Sequence, residues 1–161
     1  MADGTPVKLN SYGFDFTKTD ADGNALAGAE FTISGDNIDA DYKDSVVTTG
    51  TDGKVSFTRL AAGTYTVKET KVPEGYLQNV QPEFTVTIDA DGNVTFGTDA
   101  WGLLQKGDDD AYTVKNVKSV TQLPLTGAAG IIMLVVMALL LGGAAALIAV
   151  RSNSLKRQLR G

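Results

Sequence analysis

The sequence predicts an all-β protein, an antiparallel immunoglobulin-like (Ig-like) β-sandwich followed by a single transmembrane helix, and three observations carry that expectation. Between about residue 8 and residue 120, short stretches of alternating apolar and polar residues are separated by turn dipeptides, with no sustained 3.6-residue period. Residues 128–150 form an unbroken apolar run. The 161 residues include neither cysteine nor histidine, which excludes disulfides, thiolate or imidazole metal sites, and Ser-His-Asp or Cys-His catalysis.

The expected strands are residues 12–18, 28–34, 45–49, 54–59, 64–70, 83–88, 93–97 and 111–117. Asp22-Gly23, Asp52-Gly53 and Asp91-Gly92 punctuate them as hairpin-type dipeptides, because glycine takes positive φ freely and aspartate tolerates it. Some seven or eight strands imply a sandwich. Its expected core is Phe14, Phe16, Phe31, Ile33, Val55, Phe57, Tyr65, Val67, Phe84, Val86, Ile88, Val94 and Phe96. Asp20-Ala21-Asp22-Gly23-Asn24 and Asp89-Ala90-Asp91-Gly92-Asn93 imitate a calcium loop. They lack its sixth-position glycine and twelfth-position glutamate, so both read as turns and no metal is expected.

Charge divides the chain by region. All 19 acidic residues precede the apolar run, against 10 basic ones up to Gly127, while Arg151, Lys156, Arg157 and Arg160 follow it. The 23 residues of the run, at ~1.5 Å each, span a bilayer core, and the basic tail is expected on the cytoplasmic side with the acidic part outside. The first ten residues carry neither a basic n-region nor an apolar h-region, so export is expected to depend on sequence preceding Met1. The resulting organisation is residues 1–7 as a leader or fragment start, 8–118 as the sandwich, 119–127 as a linker, 128–150 as the membrane helix and 151–161 as a basic tail.

Strand parity singles out three polar residues. Lys18 shares a face with Tyr12, Phe14 and Phe16, Glu69 with Tyr65 and Val67, and Asn116 with Tyr112 and Val114. An unpaired buried ammonium or carboxylate costs several kcal/mol, and the economical arrangement is that the three meet. Desolvation then favours neutral Lys18 and protonated Glu69. A neutral amine is a nucleophile, and an acid beside the Asn116 carboxamide polarises its carbonyl and helps ammonia leave. That chemistry yields a Lys18–Asn116 amide.

Further motifs identify a resemblance. Phe16-Thr17-Lys18-Thr19-Asp20, Ala27-Gly28-Ala29-Glu30-Phe31, and Tyr65-Thr66-Val67-Lys68-Glu69-Thr70 leading to Pro73-Glu74-Gly75-Tyr76 resemble the collagen-adhesin B-type domain of Gram-positive pilins and adhesins. The resemblance covers most of residues 8–118. It implies a prealbumin-like sandwich in which Lys18 bonds to Asn116 with Glu69 assisting as the catalytic acid. Leu123-Pro124-Leu125-Thr126-Gly127, followed by the apolar run and basic tail, is similar to a sortase cell-wall sorting signal. That similarity implies cleavage between Thr126 and Gly127 and attachment of Thr126 to peptidoglycan or to another pilin subunit.

The expected protein is therefore a cell-wall-anchored surface protein, a pilin subunit or adhesin stalk, membrane-inserted until a sortase transpeptidase acts on it. It is not an enzyme and needs no cofactor. None of Lys8, Lys43, Lys54 and Lys106 sits in the motif that the resemblance implies for a polymerising pilin. Two rivals are a module binding a host matrix protein, cued by acidic Asp108, Asp109 and Asp110 and an exposed-looking Trp101, and a permanently membrane-anchored protein. A nucleic-acid partner is not expected of so acidic a chain.

Overall fold

The computed structural model describes residues 11–35, 37, 38, 42 and 45–124. The expected membrane span 128–150, the basic tail and Leu125, Thr126 and Gly127 lie outside the described residues, and among those described no helix is long and apolar enough to cross a membrane.

Among the described residues nine strands build two sheets: β1 Tyr12–Thr19, β2 Glu30–Gly35, β3 Val46–Thr48, β4 Lys54–Leu60, β5 Gly63–Lys71, β6 Glu83–Ile88, β7 Val94–Phe96, β8 Leu104–Lys106 and β9 Tyr112–Lys115. One sheet has the order β4-β1-β9-β8, the other β3-β2-β5-β6-β7. Alternation is regular where it matters. Phe14 and Phe16, Phe31 and Ile33, Val55 and Phe57, Tyr65 and Val67, and Phe84, Val86 and Ile88 are all buried between the sheets. Phe16 meets Phe31 edge-on at 5.0 Å and Phe84 at 5.6 Å, tying the sheets through rings in favourable tilted geometry.

Four features depart from the sequence expectations. The strand β8 is additional, since its three residues Leu104-Gln105-Lys106 offer too short an alternation to read; it exists by pairing with β9. β9 runs parallel to β1, so the sandwich is not wholly antiparallel. Of the three Asp-Gly turns, Asp91-Gly92 closes the hairpin between β6 and β7 and Asp22-Gly23 closes on a single antiparallel bridge, Thr19 with Ala25, before the chain passes to the other sheet; Asp52-Gly53 lies on the crossing from β3 to β4, in different sheets. Finally, Val94 and Phe96 are only half-buried, because β7 is an edge strand, whereas Leu60 is buried. Leu60 escapes parity through a bulge: Tyr12 pairs with Leu60 and Gly13 with Thr58, leaving Arg59 as the extra residue at φ 60°.

The two calcium-like segments are matching Asx turns. Asp20 Oδ1 accepts the amides of Asp22 and Asn24, and its Oδ2 accepts Asn24 Nδ2; Asp89 repeats the pattern with Asp91 and Asn93. These amides hold both carboxyls below the usual carboxylate range, the Asn24 and Asn93 side-chain bonds contributing most.

Beneath the main core lies a smaller one. Val80, Leu103, Val117 and Leu123 are buried together, with Ala21, Leu77, Trp101 and Val120 packed against them. Trp101 is thus half-buried, and the acidic run 108–110 is the exposed turn between β8 and β9, where Asp109 Oδ1 accepts the Ala111 amide.

Candidate functional site

Lys18 is placed by β1, whose parallel register sets it opposite Val114 of β9. Its backbone is fixed on the other side, where its amide donates to Gly53 O at 2.7 Å and its carbonyl accepts the Leu26 amide at 2.9 Å. Gly53 sits at φ 66°, and a Cβ there would run into Lys18 O, so glycine is required by both conformation and space. Asn116 follows the last residue of β9, and its amide donates to Thr19 O at 2.9 Å, continuing the parallel ladder. Glu69 comes from the facing sheet, on β5 opposite Phe31 of β2. Lys18 and Asn116 are therefore neighbours on one sheet, and Glu69 reaches them across the sandwich.

All three are buried, at 0%, 1% and 0% exposure for Lys18, Asn116 and Glu69. They converge on one atom. Asn116 Nδ2 donates to Glu69 Oε2 at 2.9 Å, and Lys18 Nζ forms an ion pair with the same oxygen at 3.5 Å, longer than an ordinary N–H···O hydrogen bond. The Phe31 ring lies 5.7 Å from Lys18 Nζ and contributes to the apolar surroundings. Among the described residues, Lys18 Nζ, Glu69 Oε1, Asn116 Oδ1 and the neighbouring Thr19 Oγ1 have no hydrogen-bond partner. Each such atom costs about 1–3 kcal/mol, which makes this the least satisfied part of the described interior.

Burial dominates the electrostatics. Desolvation pushes the Lys18 ammonium down from 10.5 to about 8, against the opposing pull of Glu69 and a weaker one from Asp99. The same desolvation raises the Glu69 carboxyl, with Lys18 and the Asn116 bond resisting. At pH 7 a pKa of about 8 leaves roughly a tenth of the amine neutral, some 300-fold more than an unperturbed lysine. The arrangement brings a nucleophile, a proton carrier and a carboxamide together away from bulk water.

Asp99 is the residue that sequence reasoning missed. Its Oδ1 accepts the Trp101 amide at 2.9 Å and its Oδ2 the Leu104 amide at 2.6 Å, holding the turn into β8 while adding negative charge near Lys18. The available signal was an aspartate two residues before Trp101-Gly102, the spacing of an Asx turn. Of the pentapeptide, Leu123 is buried and Pro124 half-buried. Among the described residues no group of acidic side chains could hold a metal.

This two-sheet arrangement, with first and last strands adjacent, is a prealbumin-like β-sandwich. The chain belongs to the SpaA prealbumin-like fold domain family, whose model matches residues 13–100, a span that includes Lys18 and Glu69 and ends before Asn116. Among solved structures it is similar to the pilus adhesin RrgA from Streptococcus pneumoniae, with TM-score 0.57 and 23% identity over 66% of this chain and 15% of that one. It is also similar to a C-terminal fragment of the pilus adhesin SpaC from Lactobacillus rhamnosus GG (TM-score 0.49, 24% identity, 68% of this chain and 45% of that one). A third similar structure is the group B streptococcus pilus 2b backbone protein (TM-score 0.48, 22% identity, 70% and 43%). The chain thus spans less than half the length of each of these. No curated protein matches it.

Proposed function

We propose that this chain is a structural protein of a Gram-positive cell surface, a pilin subunit or adhesin stalk, stiffened by a Lys18–Asn116 amide and joined to the cell wall through Leu123-Pro124-Leu125-Thr126-Gly127. The observation that carries the reading is the convergence of Lys18 and Asn116 on Glu69 Oε2 in a buried site. Membership of the SpaA prealbumin-like family supports it.

Cross-linking begins with proton transfer from the Lys18 ammonium to Glu69, which burial favours for both groups. The neutral Nζ attacks Asn116 Cγ while protonated Glu69 donates to the carboxamide oxygen, which reaches Oε2 when the amide turns over. Glu69 then moves the proton lost by Nζ to Nδ2. The Cγ–Nδ2 bond breaks, ammonia leaves, and the new Cγ–Nζ bond remains. The carboxamide oxygen returns its proton to Glu69, and that proton, the one Lys18 first gave up, leaves with the ammonia as ammonium, so atoms and charge balance with no oxidant or cofactor and Glu69 ends as the carboxylate it began. A cleft of about 50 Å³ lined by Asp20, Asp22, Tyr76, Asn116 and Lys118 adjoins the site. Each molecule reacts once on itself, so the protein is a substrate of its own chemistry and not a turnover enzyme.

Bonding relieves the dissatisfaction of the interior, because the ammonium's three donors become a single amide N–H. In this reading residues 8–118 are the cross-linked module, 119–127 presents the sorting segment, 128–150 holds the chain in the membrane until a sortase acts, and 151–161 stays cytoplasmic. The acceptor is a peptidoglycan precursor or another pilin subunit; a host matrix protein is a further partner open to an adhesin.

Intact mass tests the cross-link. Residues 1–124 are expected one ammonia lighter than their sequence, and Lys18→Ala, Glu69→Ala and Asn116→Ala each to keep the full mass calculated for its own sequence. An unreduced mass in the parent would remove the bond from the proposal.

A further inference from the structure

The smaller core holds a residue that a sorting enzyme would need. Leu123 is 8% exposed and sits with Val80, Leu103 and Val117, against Trp101, Leu77 and Val120. The approach is built locally. Residues Val120–Gln122 form one 3-10 turn, in which the Gln122 amide donates to Ser119 O and the Leu123 amide to Val120 O. Gln122 Oε1 accepts the Lys118 amide at 2.8 Å. Pro124 forces the residue before it out of helical geometry, and Leu123 is extended at φ −65° and ψ 135°, which ends the turn and lays the leucine into the cluster. The compact unit of the chain accordingly runs through Pro124.

We infer that the base of the sandwich is a docking surface for the sorting segment of this same chain, holding Leu123 so that a sorting enzyme grips the pentapeptide only after Leu123 has left. The inference rests on reading Leu123-Pro124-Leu125-Thr126-Gly127 as a sorting motif. An enzyme that reads an extended peptide does so through its side chains, and a leucine buried in its own domain presents none. Burying one leucine favours the docked state by roughly ten- to a hundredfold. The apparent affinity of the enzyme falls by the undocked fraction. Folding of the domain therefore slows its own attachment. After transfer, Leu123 returns to its seat and holds the new joint against the base of the domain.

The test uses the full chain in a Gram-positive host that sorts wall proteins, followed by pulse-chase. Val80→Ala and Leu103→Ala weaken the seat without touching the pentapeptide or the Lys18 site, and each is expected to shed residues 128–150 several-fold faster than the parent. Equal or slower shedding in both overturns the inference and leaves the sorting reading intact. No shedding from any chain overturns both. Trp101, the single tryptophan, reports docking without a sorting enzyme. In the detergent-solubilised full chain, Leu123→Ser is expected to shift its emission to the red, and unchanged emission overturns the docked state.

Discussion

Lys18 and Val114 face each other in parallel register, so the first and last strands of the domain run side by side in one direction. Tension between the two ends of such a domain loads β1 against β9 in shear. The proposed Lys18–Asn116 amide would carry that load along β1, across one covalent bond and out through residues 117–124, bypassing everything between.

Single-molecule pulling measures this directly. The parent is expected to show no unfolding step of the domain. The Glu69→Ala chain is expected to release residues 19–115, a gain of roughly 330 Å at ~3.3–3.6 Å per residue. A parent that lengthens by the same amount would mean that no bond spans the two strands.

The buried charges make the two ends of the ion pair unequal. With Glu69→Gln, Lys18 remains enclosed at 0% exposure opposite no carboxylate of its own site, and the cost is expected to be about 3–5 kcal/mol. With Lys18→Met, the amine is replaced by an apolar chain while Glu69, protonated, keeps its bond to Asn116. Both lack the cross-link, so the difference in their denaturant midpoints isolates the charge, with Lys18→Met the more stable.

Bond formation depends on pH through both partners. The amine must be neutral, and its folded value of about 8 makes the rate climb as pH rises toward 8. The acid must be protonated, and its raised but finite pKa makes the rate fall again on the alkaline side. Refolding residues 1–124 across pH and timing the mass loss is expected to give a bell. In Asn116→Ala, which cannot react, the unfolded chain holds the Lys18 proton up to 10.5 while the folded one releases it near 8. The Lys18 contribution to stability is present above 10.5 and lost as pH falls through about 8. Glu69 acts oppositely: its contribution is present below 4.5 and lost as pH rises through its raised folded value.

Gly53 is expected to control the site without touching its side chains. Alanine there combines a strained φ of 66° with a collision at Lys18 O, at a cost of about 1–3 kcal/mol. Because Gly53 O also receives the Lys18 amide, Gly53→Ala is expected to slow the cross-link by displacing β1 as well as to lower the melting temperature. Gly23→Ala, with a similar positive φ but open space around it, is the control: it strains its turn and leaves the rate alone.

The sequence by itself determined the all-β class, most of the strands and the inward parity of Lys18, Glu69 and Asn116, because period-2 alternation is a local property of the backbone and each residue carries its own face. Val94 and Phe96 show the limit of that rule, since alternation cannot distinguish an edge strand from a central one. Leu60 shows another, since one bulge at Arg59 turns the next residue to the opposite face. Only the tertiary structure decided that β9 lies parallel beside β1, that Glu69 reaches both partners from the opposite sheet, that Asp99 adds its charge near Lys18, and that Leu123 is buried in the cluster against which Trp101 packs. Those relations join residues dozens of positions apart. They are fixed by which sheets close on one another, and a local pattern holds no record of that choice.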